Sequence, residues 1–169
     1  KGSIDKAHQL AAMHESAYIP MQFKNPSNVE MHKKTTAQEV WNDTEGQVDI
    51  FVAGVGTGGT VSGVGEILKQ KKPEVQIVAV EPADSAVLSG KDPGKHKIQG
   101  IGAGFIPEIL NREVIDEIYP VQNEEAMQMA RNLTRKEGIF SGVSSGAIMH
   151  AAIEIGKRPE NKNKNIVAV

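Results

Sequence analysis

The stretch Val48-Asp49-Ile50-Phe51-Val52-Ala53-Gly54-Val55-Gly56-Thr57-Gly58-Gly59-Thr60 runs from apolar residues directly into four glycines within positions 54–59. An apolar, β-branched run bounded by glycine reads as a buried strand, here Val48 to Ala53. Thr60 to Lys71 then carries helical spacing, Pro73 supplies a turn, and Gln76 to Glu81 reads as a second strand. Strand, helix, strand in that order makes a βαβ unit with a parallel strand pair. Glycines at a strand-to-helix turn let the backbone come close to a ligand. The first helical amides, which lack intrahelical acceptors, attract an anion. A phosphate group is the expected guest, because a ligand-free turn would need fewer glycines. A dinucleotide is the competing guest: Gly54, Gly56 and Gly59 fit G-x-G-x-x-G, and Glu81 ends the next strand where a ribose-binding acid would stand. Two features count against it. Thr57 and Thr60 add hydroxyl donors suited to a terminal phosphate, and Glu81-Pro82 leads into a second glycine-rich segment.

Toward the N-terminus, Thr36 to Asp43 reads as a helix, Tyr18 to Phe23 as a strand ended by Asn25-Pro26, and Ala7, Leu10, Ala11 and Met13 as the apolar face of an opening helix. Toward the C-terminus, residues 83–111 are rich in Gly, Pro, Lys and Ser and predict a long excursion out of the sheet that borders a site. A strand over Glu117 to Val121 follows, then a helix starting at Asn123-Glu124-Glu125 and stopped by Gly138. Ser144-Ser145-Gly146 opens a further helix through about Ile155, with Ser144 as its expected N-cap. The chain begins without Met and ends on Asn165 to Val169, an apolar run that reads as a strand just begun, so further chain is expected at both ends.

A length of 169 residues with 39% hydrophobic content is enough for one α/β domain with a real core. Lys and Arg number 19 against 21 Asp and Glu, a formal charge of -2, which provides no broad attraction for nucleic acid or anionic lipid. The absence of cysteine removes disulfides, thiolate nucleophiles and Cys-based zinc sites, and the cytoplasm is the expected compartment. No apolar run approaches the roughly 20 residues of a membrane span. His8, His14, His32, His96 and His150 lack metal-ligand spacing, so no metal is expected and their roles read as ordinary surface or core ones.

Gly56-Thr57-Gly58-Gly59-Thr60 resembles the phosphate-binding loop of fold-type II pyridoxal-phosphate enzymes. Gln22-Phe23-Lys24-Asn25-Pro26 and His32-Lys33-Lys34-Thr35-Thr36 resemble segments of the cysteine synthase (O-acetylserine sulfhydrylase) family upstream of that loop. His96-Lys97-Ile98-Gln99-Gly100-Ile101-Gly102-Ala103-Gly104-Phe105-Ile106-Pro107 resembles another downstream, and this run separates the chain from cystathionine β-synthase. Gly142-Val143-Ser144-Ser145-Gly146-Ala147 resembles the serine motif beneath the cofactor ring.

The resemblance implies a three-layer, doubly wound α/β fold with a mainly parallel sheet. Residues 1–24 would be the last helix and strand of a small substrate-closing domain, and 25–169 a large domain binding pyridoxal 5'-phosphate. It implies that Gly56, Thr57, Gly58, Gly59 and Thr60 hold the cofactor phosphate and that Ser144 meets the pyridine nitrogen. Gln22 would contribute to the substrate carboxylate pocket, and Gly100 would lie at the substrate entrance. A serine at the ring nitrogen makes the ring a weaker electron sink than a carboxylate would. The implied reaction is β-replacement, in which O-acetyl-L-serine and sulfide give L-cysteine and acetate. The family's cofactor-bearing lysine would lie upstream of Lys1, leaving no catalytic residue in this chain and an inactive polypeptide by itself. A homodimer and the C-terminal tail of serine acetyltransferase are the implied protein partners. Cystathionine β-synthase chemistry and an NAD-binding oxidoreductase domain are the alternatives.

Overall fold

In the computed structural model, which describes residues 2–169, the apolar run forms strand β1 (Ile50–Gly54), with Ile50 through Ala53 fully buried. Its side chains alternate between two cores, Phe51 and Ala53 on one face of the sheet and Ile50 and Val52 on the other. This is the burial a parallel strand needs when helices cover both faces. Helix α4 (Gly59–Lys71) follows the glycine turn and places Val61, Val64 and Leu68 in the first core. Strand β2 (Gln76–Pro82) then pairs in parallel with β1, Val52 opposite Val78.

Strand β3 (Glu117–Val121) pairs in parallel with the outer side of β2, and β4 (Ile166–Ala168) with the opposite side of β1. The order is therefore β3-β2-β1-β4, all parallel. Between β3 and β4 the chain forms α5 (Asn123–Asn132) and α6 (Val143–Gly156), whose Ala126, Ala147, Ile148, Ala151 and Ile155 fill the second core. Helices thus cover both faces, as expected of a doubly wound sheet. The strand order reverses direction between β1 and β4, and in open parallel sheets ligands bind beyond the strand C-termini at such a point. The glycine loop leaves β1 at that place.

Three details differ from the sequence reading. Tyr18 to Phe23 forms no strand: Pro20 has no amide to give to a ladder, Met21 adopts φ +52, and Lys24 and Asn25 N–H both donate to the Met21 carbonyl in a turn. Its aromatic Phe23 instead packs edge-to-face on Phe105, with ring centroids 5.0 Å apart. Before α3 (Thr36–Asp43) lies an additional helix, α2 (Ser27–Lys34), entered through Pro26 and burying Val29. The N-cap of α5 is Gln122, whose N–H donates to the Glu125 carboxylate at 2.9 Å. Asn123 looks inward instead, accepting from Lys97 N–H at 2.7 Å and donating to Asp84, and so ties the 83–111 excursion to the start of α5. The first helix, α1 (Gly2–Ala11), buries none of its residues.

Asp49 fastens β4 to the sheet. One oxygen accepts from Lys72 Nζ at 2.7 Å and the other from Asn165 N–H at 2.8 Å. These bonds, that of Lys72 foremost, hold its pKa below the ordinary aspartate value. A carboxylate depressed in the folded state contributes stability that is present above its unfolded-state value, about 4, and is lost as the pH falls through the folded value. Thermal melts across pH should show D49N less stable than the parent at neutral pH, with the difference closing below about pH 4; a constant difference at every pH would contradict this account.

Candidate cofactor and substrate cleft

Helix α4 carries no side chain at two positions one turn apart on the face turned to α2. A Cβ on Gly59 would lie 2.0 Å from Asn28 Oδ1, and one on Gly63 would lie 2.6 Å from the Val29 carbonyl oxygen. At Gly63 the space is taken by the α2 backbone and at Gly59 by the Asn28 amide, so Gly63 lets the two helices come this close and Gly59 leaves room for Asn28. The approach delivers two α2 side chains, also four residues apart, to the glycine loop. Asn28 Nδ2 donates to Thr57 Oγ1 at 3.0 Å and to the Gln22 carbonyl at 3.1 Å. His32 Nε2 lies 3.2 Å from Thr60 Oγ1, and its Nδ1 lies 2.9 Å from Thr36 Oγ1.

Gly58, with φ +84, caps α4, and Gly59 and Thr60 form its first turn. The first amides of a helix have no i−4 acceptor and carry a partial positive charge; here the Gly59 N–H donates to Thr57 Oγ1 at 3.3 Å, and Thr57 and Thr60 bring their hydroxyls to the same helix end. Opposite stands the second glycine-rich segment. Gly102 N–H donates to the Val55 carbonyl at 3.0 Å. His96 ties the segment to itself: Nδ1 accepts from Ile98 N–H at 3.3 Å, which leaves Nε2 as the donor to the Gly102 carbonyl at 2.9 Å. Gly56 faces the Gly100 carbonyl so closely that a Cβ would come within 2.6 Å of it.

Between these walls is a cleft of about 180 Å³ lined by Gln22, Phe23, Gly56, Thr57, Gly100, Ile101 and Ala103. Four residues singled out from sequence, Gln22, Gly56, Thr57 and Gly100, therefore meet at one place. Ser144 does not line the cleft but lies beside it, its Oγ 3.5 Å from where a Gly100 Cβ would stand. Ser144 is not the helix cap the local sequence suggests. The N-cap of α6 is Gly142 and Ser144 sits in the first turn, so its hydroxyl is not committed to that position. Helices α4 and α6 both begin at the C-terminal edge of the sheet, because each runs antiparallel to the strand it is joined to.

The charged groups nearby are already engaged. Lys33 bonds Glu30 at 2.8 Å and Glu66 at 2.7 Å, and these hydrogen bonds raise its pKa to about 12. An amine held protonated in this way is no nucleophile. Among the described residues, no lysine lines the cleft. Glu81, the candidate ribose acid of a dinucleotide site, is 2% exposed and accepts from Leu88 N–H at 2.8 Å, Ser89 N–H at 3.0 Å and the Ser89 hydroxyl. Its carboxylate anchors the excursion after β2 and is closed to a ribose.

The cleft offers the Thr57 hydroxyl and an apolar wall of Phe23 and Ile101, while Gly58, Gly59 and Thr60 at the start of α4 and Ser144 at the start of α6 lie outside its lining. A sequence profile of the family described as "Pyridoxal-phosphate dependent enzyme" matches residues 1–169. The chain belongs to that family. The cysteine synthase of Staphylococcus aureus is 51% identical over 170 aligned residues, covering all of this chain and 54% of the relative. The crystal structure of cysteine synthase from Entamoeba histolytica superposes with a TM-score of 0.95 at 48% identity, over 99% of this chain and 49% of that one. A hydrogen sulfide-producing enzyme from Fusobacterium nucleatum gives 0.93 at 38% identity, over 97% of this chain and 55% of its own. The chain thus spans about half the length of the relatives it matches. No helix among the described residues is long and apolar enough to cross a membrane.

Sequence reasoning missed Asn28, Gly63 and the site roles of His32 and His96. The available signal was the shared four-residue spacing of Asn28 with His32 and of Gly59 with Gly63, which places each pair on one helix face. Gly63→Ala tests the close approach. Helix propensity alone would make alanine stabilising by about 1 kcal/mol, whereas overpacking against the Val29 carbonyl should reverse the sign and destabilise by about 1–3 kcal/mol. Urea denaturation reads the difference, and a more stable G63A would refute the packing argument.

Proposed function

We propose that this chain supplies the cofactor-phosphate and ring-nitrogen side of the active site of a cysteine synthase, which converts O-acetyl-L-serine and sulfide into L-cysteine and acetate. The observation that carries the reading is the convergence of Gln22, Gly56, Thr57 and Gly100 on one cleft at the start of α4. The identity to cysteine synthases over the whole chain supports it. The side-chain-free loop and its two threonine hydroxyls fit a phosphate. In this reading the amides and hydroxyls of Gly56, Thr57, Gly58, Gly59 and Thr60 hold the phosphate of pyridoxal 5'-phosphate, and Ser144 meets the pyridine nitrogen. When bound, that cofactor supplies the electron sink that makes loss of acetate and addition of sulfide feasible.

The residues of the chain bind and orient. Asn28 holds Thr57 and the Gln22 backbone in fixed relation, so the phosphate side and the substrate side of the cleft keep one geometry. Gln22 receives the substrate carboxylate, and Gly100, without a side chain, leaves the entrance open. Ser144 offers a neutral hydroxyl, which does not force a proton onto the ring nitrogen as a carboxylate would. We assign no catalytic residue to the chain: no lysine among the described residues lines the cleft, Lys33 is held charged by Glu30 and Glu66, and the family resemblance puts the amine that carries the cofactor outside these residues. The 169-residue polypeptide alone should then form no cysteine. Residues 1–24 go with a small substrate-closing domain, in keeping with the absence of buried residues in α1. The same reading includes a homodimer, the cytoplasm, and the C-terminal tail of serine acetyltransferase as a ligand of the cleft.

The intact enzyme, given pyridoxal phosphate, O-acetylserine and sulfide, should release cysteine and acetate. The double substitution of Thr57 and Thr60 to valine should weaken cofactor binding by about 10- to 100-fold, at about 1 kcal/mol or more for each lost hydrogen bond. Formation of cystathionine from serine and homocysteine, without cysteine synthesis, would move the assignment to cystathionine β-synthase. Binding of NAD with no cofactor-dependent change in visible absorption would remove the pyridoxal-phosphate reading altogether.

A further inference from the structure

His32 stands between two threonine hydroxyls, Thr60 Oγ1 at 3.2 Å from Nε2 and Thr36 Oγ1 at 2.9 Å from Nδ1. It is half-buried at the α2–α4 contact, fixed there by the close approach at Gly63, where a Cβ would stand 2.8 Å from the His32 Cβ. Burial lowers its pKa, so near neutral pH the ring is uncharged and carries one proton. A neutral ring between two hydroxyls has two arrangements. In the first, Thr36 donates to Nδ1 and Nε2–H donates to Thr60 Oγ1, which frees the Thr60 proton to point into the loop. In the second, Nδ1–H donates to Thr36 and Thr60 spends its proton on Nε2, so that Thr60 shows the loop only lone pairs.

An anion at the start of α4 is favoured by the first arrangement and repelled by the second. We infer that His32 is a positioning residue that, with Thr36 behind it, turns the Thr60 hydroxyl into a donor aimed at the bound phosphate. This rests on the proposed reading of the loop as a cofactor-phosphate site. The chain of donors runs from Thr36 through His32 to Thr60 and moves no net proton. Its effect is to remove the alternative orientation of Thr60 before the ligand arrives, which is preorganisation.

The test compares pyridoxal 5'-phosphate with pyridoxal, which lacks the phosphate, on the intact enzyme freed of cofactor. Binding is followed by equilibrium dialysis and by the phosphorus NMR shift of the bound phosphate. His32→Phe, which keeps the ring shape without a donor, should weaken pyridoxal phosphate by about five- to tenfold. It should also move the phosphorus resonance and leave pyridoxal unchanged. His32→Gln, whose amide can donate from nearly the Nε2 position, should restore most of the loss. In a Thr60→Val background, His32→Phe should add nothing further, because it acts through Thr60. A parent enzyme that binds pyridoxal as tightly as its phosphate would sink both the loop reading and this one. A parent that prefers the phosphate, with His32→Phe either neutral or fully additive to Thr60→Val, would overturn the His32 role and leave the loop reading intact.

Discussion

The side-chain-free face of α4 is the constraint on which the cleft depends. Without Gly63 the α2 backbone could not come this close to α4, and a side chain at Gly59 would displace the Asn28 amide, so that Asn28 and His32 would lose their places beside the loop hydroxyls. Glycine in a helix interior is unfavourable by about 1 kcal/mol relative to alanine, and this helix carries Gly59, Gly63 and Gly65 along its length. Its stability comes from outside: Val61, Val64 and Leu68 anchor it to the sheet. Core packing thereby tolerates a weak helix whose bare face does the positioning.

The electrostatic character of the cleft follows from the same economy of side chains. Lys33 and Lys24, on the segments flanking the loop, are each paired with glutamates, Lys33 with Glu30 and Glu66 and Lys24 with Glu108. Attraction for an anion then falls to oriented amides and hydroxyls, which act over short distances and in fixed directions. Such a cradle selects by shape and donor placement, and depends less on ionic strength than a cationic patch.

The parallel core was legible because its signals are local and redundant: an apolar run, a glycine turn, a helical period and a second apolar run between residues 48 and 81. Helix α2 was not, because Ser27–Lys34 is polar apart from Val29 and Met31 and buries only Val29. Its place is set by contact with α4, a tertiary fact that no window of α2 contains. The opposite error arose at Tyr18 to Phe23, a short and nearly continuous apolar run that reads as a strand. There the pattern had another cause: Tyr18 is 78% exposed, and Phe23 serves an aromatic contact. Glu81 was ambiguous for a similar reason. A carboxylate at the end of the second strand suits a ribose until the residues that claim it, Leu88 and Ser89, are placed beside it. Ser144 looked like a cap because serine favours that position, but the helix is capped two residues earlier, at Gly142.

The registers of β1 also order the assembly of the sheet. Its pairing with β2 joins Ile50 to Gln76, 26 positions away, whereas its pairing with β4 joins Ile50 to Ile166, 116 positions away. Loop-closure entropy grows only logarithmically, so the longer ring is harder to close by about 1 kcal/mol. That modest excess falls on a strand of three residues, which has little pairing of its own to offset it. The βαβ unit bearing the glycine loop can therefore form as a local nucleus, with β4 joining late through Asp49 and Asn165. The glycine turn leaves β1, the strand that β2 joins early and β4 late, so the turn belongs to the part of the sheet that can form first.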